Sequence, residues 1–243
     1  MQQQILTVKE NIKLTEGIYR MILCGKVDAI KNSGEFINIE IPSLFLRRPI
    51  SVCDYDGESV TIIYKVVGKG TEVMAEAKEG DTFDVLLGLG NGYDTSVSGE
   101  HALLLGGGVG VPPLYNLCKK LISEGKKVMV VLGFNKADEI FYADEFKALG
   151  AEVRITTVDG SRGVRGFVTD AIEDVDYTYF YTCGPEPMLR AVYKAARTEG
   201  QFSFESRMGC GFGACMGCSC KTNFGNKRIC KDGPVFTKEE ILW

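Results

Sequence analysis

The chain has a single histidine, His101, among its 243 residues. It opens the apolar run "HALLLGG" and reads as structural, while the carboxylates are scattered along solvated faces, so no acid–base constellation for an organic substrate is present. No apolar run approaches the ~18 residues a membrane span needs. The opening "MQQQILTVKENIKL" lacks a basic and an apolar leader region, and the expectation is a soluble, cytoplasmic protein. Excess positive charge is missing too. The formal net charge of −4 gives no overall reason to bind nucleic acid or an anionic membrane. Long repeats, low-complexity tracts and flexible linkers are absent. So is G-x-G-x-x-G, which excludes the ordinary dinucleotide fingerprint.

What is present has ordinary globular proportions, 45% apolar and 25% charged, in a chain long enough for one large or two medium domains. Nine cysteines without a secretion signal argue for metal binding over a disulfide framework. Five of them, Cys210, Cys215, Cys218, Cys220 and Cys230, fall near the C-terminus.

Three regions follow from the hydrophobic rhythm. Residues 1–97 alternate with period two: "EFINIEI" puts Ile37, Ile39 and Ile41 on one face and Asn38 and Glu40 on the other, and "ESVTIIYKVV" is rich in β-branched residues. Gly and Asp turn signals between such runs predict a small antiparallel barrel. From 98 to 202 strand and helix alternate. "HALLLGG", "KKVMVVLGF", "AEVRITTV" and "YTYFYTCG" are buried-strand candidates, and Pro112 and Pro113 stand where a helix through Leu114, Leu117, Cys118, Leu121 and Ile122 begins. That rhythm predicts a parallel sheet covered on both faces. Residues 203–243 are too few for a core of their own. The fold class is therefore α+β and multidomain, with a β-barrel, an α/β parallel-sheet domain and a short C-terminal subdomain.

Cys210, Cys215 and Cys218 are spaced C-x4-C-x2-C, and Cys230 follows. This is the opening spacing of plant-type 2Fe–2S ferredoxins. Gly209, Gly211, Gly213 and Gly217 let the loop turn tightly, bringing N–H groups toward inorganic sulfur. Zinc sites usually pair short C-x2–4-C units, which this loop fits less well. Cys220 is spare.

A cluster passes single electrons, and the earlier regions offer places for their source. In "LRRPISV", Arg48 suits a pyrophosphate and Ser51 a flavin edge, or the segment is simply a basic strand end. In "IYKVVGKGT", Ile63, Tyr64 and Lys65 close a strand, and Gly70 and Thr71 open a helix whose N-terminus suits phosphate. Gly106, Gly107, Gly108 and Gly110 form a Gly-rich strand-to-helix turn, the place where a parallel sheet accepts a dinucleotide. Cys183, Gly184 and Pro185 end a later strand, with Cys183 either at a ligand or packed under a helix.

In order, R-x-x-S, the Gly-rich turn and C-G-P resemble the ferredoxin reductase family over residues 1 to about 200. With "CGFGACMGC" and "ICKDGPVF" the whole chain resembles the electron-transfer subunits of NAD-dependent (class 1B) dihydroorotate dehydrogenases. The resemblance implies FAD on Arg48, Pro49, Ile50, Ser51, Ile63, Tyr64, Lys65, Gly70 and Thr71. It implies a 2Fe–2S cluster on Cys210, Cys215, Cys218 and Cys230, and NAD in the second domain with Cys183 near the nicotinamide. It implies a partner, an FMN-containing dihydroorotate dehydrogenase catalytic subunit, in a heterotetramer with two copies of each, serving pyrimidine (UMP) biosynthesis. Ile50 departs from relatives that carry an aromatic ring there, and Tyr64 is the candidate replacement. A flavin must mediate, because nicotinamide exchanges a hydride and the cluster one electron. Two other readings stand: a flavin and iron–sulfur subunit of a hydrogenase or ferredoxin-dependent transhydrogenase, and a structural zinc-binding regulatory module. Spacing does not distinguish NAD from NADP; Arg162 and Arg165 either meet a 2′-phosphate or face solvent.

Overall fold

The computed structural model describes residues 1–243. Six strands close an antiparallel barrel: β1 (Gln2–Thr15), β2 (Ile18–Cys24), β3 (Phe36–Ile39), β4 (Arg48–Tyr55), β5 (Ser59–Lys65) and β6 (Thr82–Leu89), ordered β1-β2-β5-β4-β3-β6. Alternation decides which side chains enter. Val60, Ile62 and Tyr64 of β5 point inward with Ile37, Ile39, Val52, Val85 and Leu87. Helix α1 (Lys69–Glu76) adds Met74 to that core. Outward Ile18, Cys53 and Ile63 instead pack on the second domain.

That domain carries five neighbouring parallel strands, β9 (Glu152–Thr157), β8 (Lys127–Phe134), β7 (His101–Gly107), β11 (Tyr179–Cys183) and β12 (Gly200–Ser203), with the short β10 (Val164–Arg165) beside β9. The unbroken burial of β7 from Ala102 through Leu105 is what a sheet covered on both faces requires. Helices α2 (Pro113–Ser123), α3 (Ala143–Ala148) and α4 (Glu186–Ala195) supply that cover. Leu114, Leu117, Cys118 and Leu121 of α2 are fully buried. Asn116 ties α2 to the barrel, donating to Asp54 Oδ1 at 2.6 Å and accepting from Ser33 Oγ at 2.6 Å.

The last segment joins both domains. A hairpin, β13 (Ser219–Thr222) and β14 (Gly225–Arg228), leads to the single turn α5 (Ile229–Asp232) and then β15 (Val235–Thr237). β15 pairs antiparallel with β12 and extends the parallel sheet, so residues 203–243 form no separate layer. Phe36 and Leu89 on the outside of the barrel share one apolar cluster with Phe180, Phe202, Cys218, Ile229, Cys230 and Phe236. Asn91 fastens this junction: its amide donates to Val235 O at 2.9 Å and Asp232 O at 3.1 Å, and accepts from Val235 N at 3.2 Å. No helix is long and apolar enough to cross a membrane.

Candidate functional site

The cysteine loop folds as its glycines dictate. Gly211, Gly213 and Met216 have positive φ, which turns successive amides toward the cysteine sulfurs. Ala214 N and Cys215 N donate to Cys210 Sγ at 3.2 and 3.4 Å, and Cys210 N and Gly217 N donate to Cys215 Sγ at 3.4 and 3.5 Å. Cys230 N donates to Cys218 Sγ at 3.4 Å. The side chains also neighbour one another in two pairs, Cys210 with Cys215 and Cys218 with Cys230. All nine cysteines are free thiols, and no three ligand side chains converge where a single ion would sit. Two pairs suit a two-iron core held by four thiolates.

Charge in the loop is prepared by the same amides. Burial opposes ionisation of Cys210, but the surrounding N–H groups, Cys215 first, bring its pKa down to about 6. Cys230 differs, because burial pushes its thiol up to about 12. Metal binding would have to displace that proton. Arg228 braces the loop from outside, donating to Gly213 O at 2.9 Å while paired with Asp232 at 3.2 Å. Cys220 lies on β13 opposite Lys227, half-buried, with its thiol pushed up by burial.

The expected flavin residues gather at one end of the barrel. Arg48 lies directly over Gly70, whose missing Cβ leaves room for the guanidinium against the backbone. The first-turn amides of α1 have no intrahelical acceptor and stand beside that cation, a combination suited to pyrophosphate. Thr71 is occupied: its hydroxyl donates to Gly68 O at 2.9 Å and accepts from Val67 N at 2.8 Å, closing the helix entry. Arg48, Pro49, Ile50 and Ser51 face Ile39, Asn38, Ile37 and Phe36 across the β3–β4 ladder.

One expectation needs correcting. Tyr64 does not offer its ring to a flavin. It is 2% exposed inside the barrel, its ring 6.0 Å from that of Tyr19 and its hydroxyl 3.1 Å from Asn11 Oδ1. The inward run Val60, Ile62, Tyr64 forces this, and the same alternation turns Ile63 and Lys65 toward the nucleotide domain.

Between the domains, at the carboxyl ends of the parallel strands, lies a cavity of about 840 Å³. Such a place is where an open α/β sheet accepts a nucleotide. Gly107, Gly108 and Pro185 line it, with Lys65 and Thr15 on the barrel side. Gly110 meets the Cys183 carbonyl so closely that a Cβ would collide, bringing the two predicted turns together. The Cys183 side chain is 2% exposed within the interdomain core, and burial pushes its thiol up to about 12. It does not line the cavity. Glu205 does, open to the cleft yet ringed by protein that raises its carboxyl pKa. Sequence reasoning missed Glu205, whose only signal was its place just after β12. Arg162 and Arg165 are not among the lining residues, whereas Asp138 and Glu139 are.

Two family models match this chain: the iron–sulfur cluster binding domain of dihydroorotate dehydrogenase B over residues 205–242, and the oxidoreductase NAD-binding domain over residues 104–194. The electron transfer subunit of dihydroorotate dehydrogenase B (NAD(+)) from Fusobacterium nucleatum subsp. nucleatum is 45% identical over 251 residues, covering 97% of this chain and 96% of the relative. Its namesake from Bacillus pumilus is 44% identical, covering 99% and 98%. The chain belongs to this family of electron transfer subunits.

Among solved structures, the NADH-dependent reduced ferredoxin–NADP oxidoreductase of flavin-based electron bifurcation superposes with a TM-score of 0.89 at 30% identity, covering 99% of this chain and 90% of that one. Phthalate dioxygenase reductase, a modular carrier of electrons from pyridine nucleotides to [2Fe–2S], shares the fold with a TM-score of 0.70 at 17% identity, covering 85% and 70%. The chain is thus an oxidoreductase component of ferredoxin reductase-like fold, with an iron–sulfur cluster binding region and an NAD-binding domain. The relatives' names imply a catalytic partner subunit.

Proposed function

We propose that this subunit carries electrons from the FMN of a dihydroorotate-oxidising partner through the cluster on Cys210, Cys215, Cys218 and Cys230, then through FAD at the barrel end, to NAD in the interdomain cavity. The observation that carries the reading is the two-by-two pairing of those cysteines in a loop seated on both domains. When bound, the flavin supplies the exchange between two-electron and one-electron chemistry. The chain's own residues supply binding and orientation. Arg48 and the first amides of α1 would hold the pyrophosphate, and Ser51, Ile63 and Lys65 would border the ring. Gly107, Gly108 and Pro185 would let the nicotinamide nucleotide approach the backbone. Asp138 and Glu139 favour a free ribose over a 2′-phosphate, in keeping with NAD. Phe212 and Met216, exposed beside Cys215, suit contact with the partner, since electrons must cross an interface there. We read the assembly as two copies of each subunit in the cytoplasm.

The test is an anaerobic co-preparation with a dihydroorotate-oxidising subunit, analysed for iron, sulfide and flavin and then mixed with dihydroorotate and NAD. NADH formed only with both subunits present supports the relay and its partner together. Iron and FAD without dihydroorotate-dependent NADH keep the relay and change the partner. A ferredoxin-linked partner is the specific alternative, favoured by the likeness to the bifurcating oxidoreductase over 99% of the chain. Zinc without flavin ends the redox reading.

A further inference from the structure

Strand β3 has two faces. Ile37 and Ile39 enter the barrel core, while Phe36 and Asn38 point outward and are nevertheless 3% and 1% exposed. What covers them is the cysteine-bearing segment. Phe36 packs in the same cluster as Cys218 and Cys230. Asn38 donates from Nδ2 to the carbonyl of Cys210 at 3.2 Å. Gly211, with φ +78°, lies so close to that amide that a Cβ would collide with Asn38 Nδ2. Asn38 Oδ1 is buried and has no partner. Leaving a buried acceptor unpaired is destabilising, so an apolar residue would sit at position 38 more cheaply if only packing were needed.

The same residue faces the other way along its backbone, because Asn38 pairs with Pro49 in the β3–β4 ladder between Arg48 and Ser51. One strand therefore separates the flavin-side segment from the carbonyl of the first cluster cysteine. We propose that Asn38 is a positioning residue: it seats the Cys210–Gly211 turn on the strand pair that borders the flavin, and so sets the spacing across which flavin and cluster exchange an electron. The inference rests on the relay reading above. The step it governs moves one electron, in the relay lost by the reduced cluster and gained by the flavin and in the NADH experiment below run in reverse, with no bond between heavy atoms made or broken.

The experiment uses the full chain with its cofactors, and compares wild type with Asn38→Leu, of similar size without the amide, and Gly211→Ala, which presses a methyl group against Asn38. Iron, sulfide and FAD are assayed, the reduced cluster is recorded by electron paramagnetic resonance, and flavin and cluster bleaching are followed after mixing with NADH. Expected for Asn38→Leu are wild-type iron and FAD, an unchanged rate of flavin reduction, a shifted cluster resonance, and cluster reduction slower than in wild type. Gly211→Ala should slow the same phase, and the double variant should be no slower than the slower single one. Wild-type cluster reduction and an unshifted resonance in Asn38→Leu would reduce Asn38 to packing and overturn the inference. So would loss of iron, which would make the residue an assembly element, or singles whose effects multiply independently. A wild-type chain without iron would bring down the relay reading and this inference with it, whereas wild-type transfer that Asn38→Leu leaves untouched would bring down the inference alone.

Discussion

Seventeen buried residues close the barrel around a core of its own, whereas the cysteine-bearing segment buries Cys218, Ile229, Cys230, Phe236 and Ile241 only by sharing a cluster with Phe36 and Leu89 of the barrel and Phe180 and Phe202 of the parallel sheet. The difference follows from what each must do. A barrel strand satisfies its backbone in the ladder and its side chains by alternation, so it needs nothing from outside. The short segment has glycines instead of apolar side chains around its cysteines and buries too little apolar surface to order itself. It borrows rigidity at the junction of the two domains.

Cutting the metal contact should separate the two regions most sharply. Cys215→Ser, at the exposed end of the loop, is expected to lose the cluster and partner-linked turnover altogether. The barrel and parallel sheet do not depend on that thiol, so FAD should remain and NADH should still reduce an artificial acceptor. Iron analysis and ferricyanide reduction check both halves. Parallel loss of flavin would mean that the barrel's independence is overstated.

Phe36 tests the opposite point, because it belongs to the barrel by sequence and to the shared cluster by contact. Phe36→Ala should cost about 3–5 kcal/mol, the range for large-to-small changes in a core, and should lower iron retention along with stability. Ile39 lies three residues on but inside the private core. Ile39→Val should cost about 1 kcal/mol and leave iron alone. Urea unfolding with iron release followed in the same samples distinguishes them.

How much of this was legible in the sequence depends on which force wrote the pattern. The barrel showed in its period-two runs, the nucleotide domain in the change of rhythm after residue 98, and the cluster in C-x4-C-x2-C with its glycines. Tyr64 was misjudged only because the alternation that places Val60 and Ile62 inward was not extended by one step. Asn38 was different. Its alternation with Ile37 and Ile39 marks an outward face correctly, and outward ordinarily means solvent. Here a third element covers that face, and nothing in seven consecutive letters, "EFINIEI", says what packs on it from 172 residues away. Asn91 was silent for the same reason: its amide serves backbone groups 141 and 144 residues later. Long-range polar ties leave no period in a local sequence.

Asn91 gives a smaller, cleaner test of the borrowed rigidity. Asn91→Ala removes three side-chain hydrogen bonds at the entry to β15, some open to solvent, and should cost about 2 kcal/mol at roughly 0.5–1.5 kcal/mol each with partial replacement by water. The barrel core is untouched, so loss should begin at the C-terminal segment. Hydrogen exchange of β15 and the rate of iron release to a chelator should rise before exchange in β2 or β5 does. Simultaneous loosening of all three would mean that the segment is no weaker than the barrel.

The smallest effect sharpens the comparison within the loop itself. Cys220 follows Cys218 by two residues and could pass for a ligand on proximity, yet it sits in the regular β13–β14 ladder opposite Lys227, where the backbone has no freedom to turn its sulfur. Cys220→Ser should therefore keep iron and turnover at wild-type levels and change stability by under about 0.5 kcal/mol, as for substitutions away from special features. Cys230→Ser, in the single turn of α5, should lose iron. The reverse pattern would exchange the two assignments: a segment that lends Cys220 to the metal would have to break its own hairpin to do so, and the order seen in β13 would belong to the metal-free chain alone.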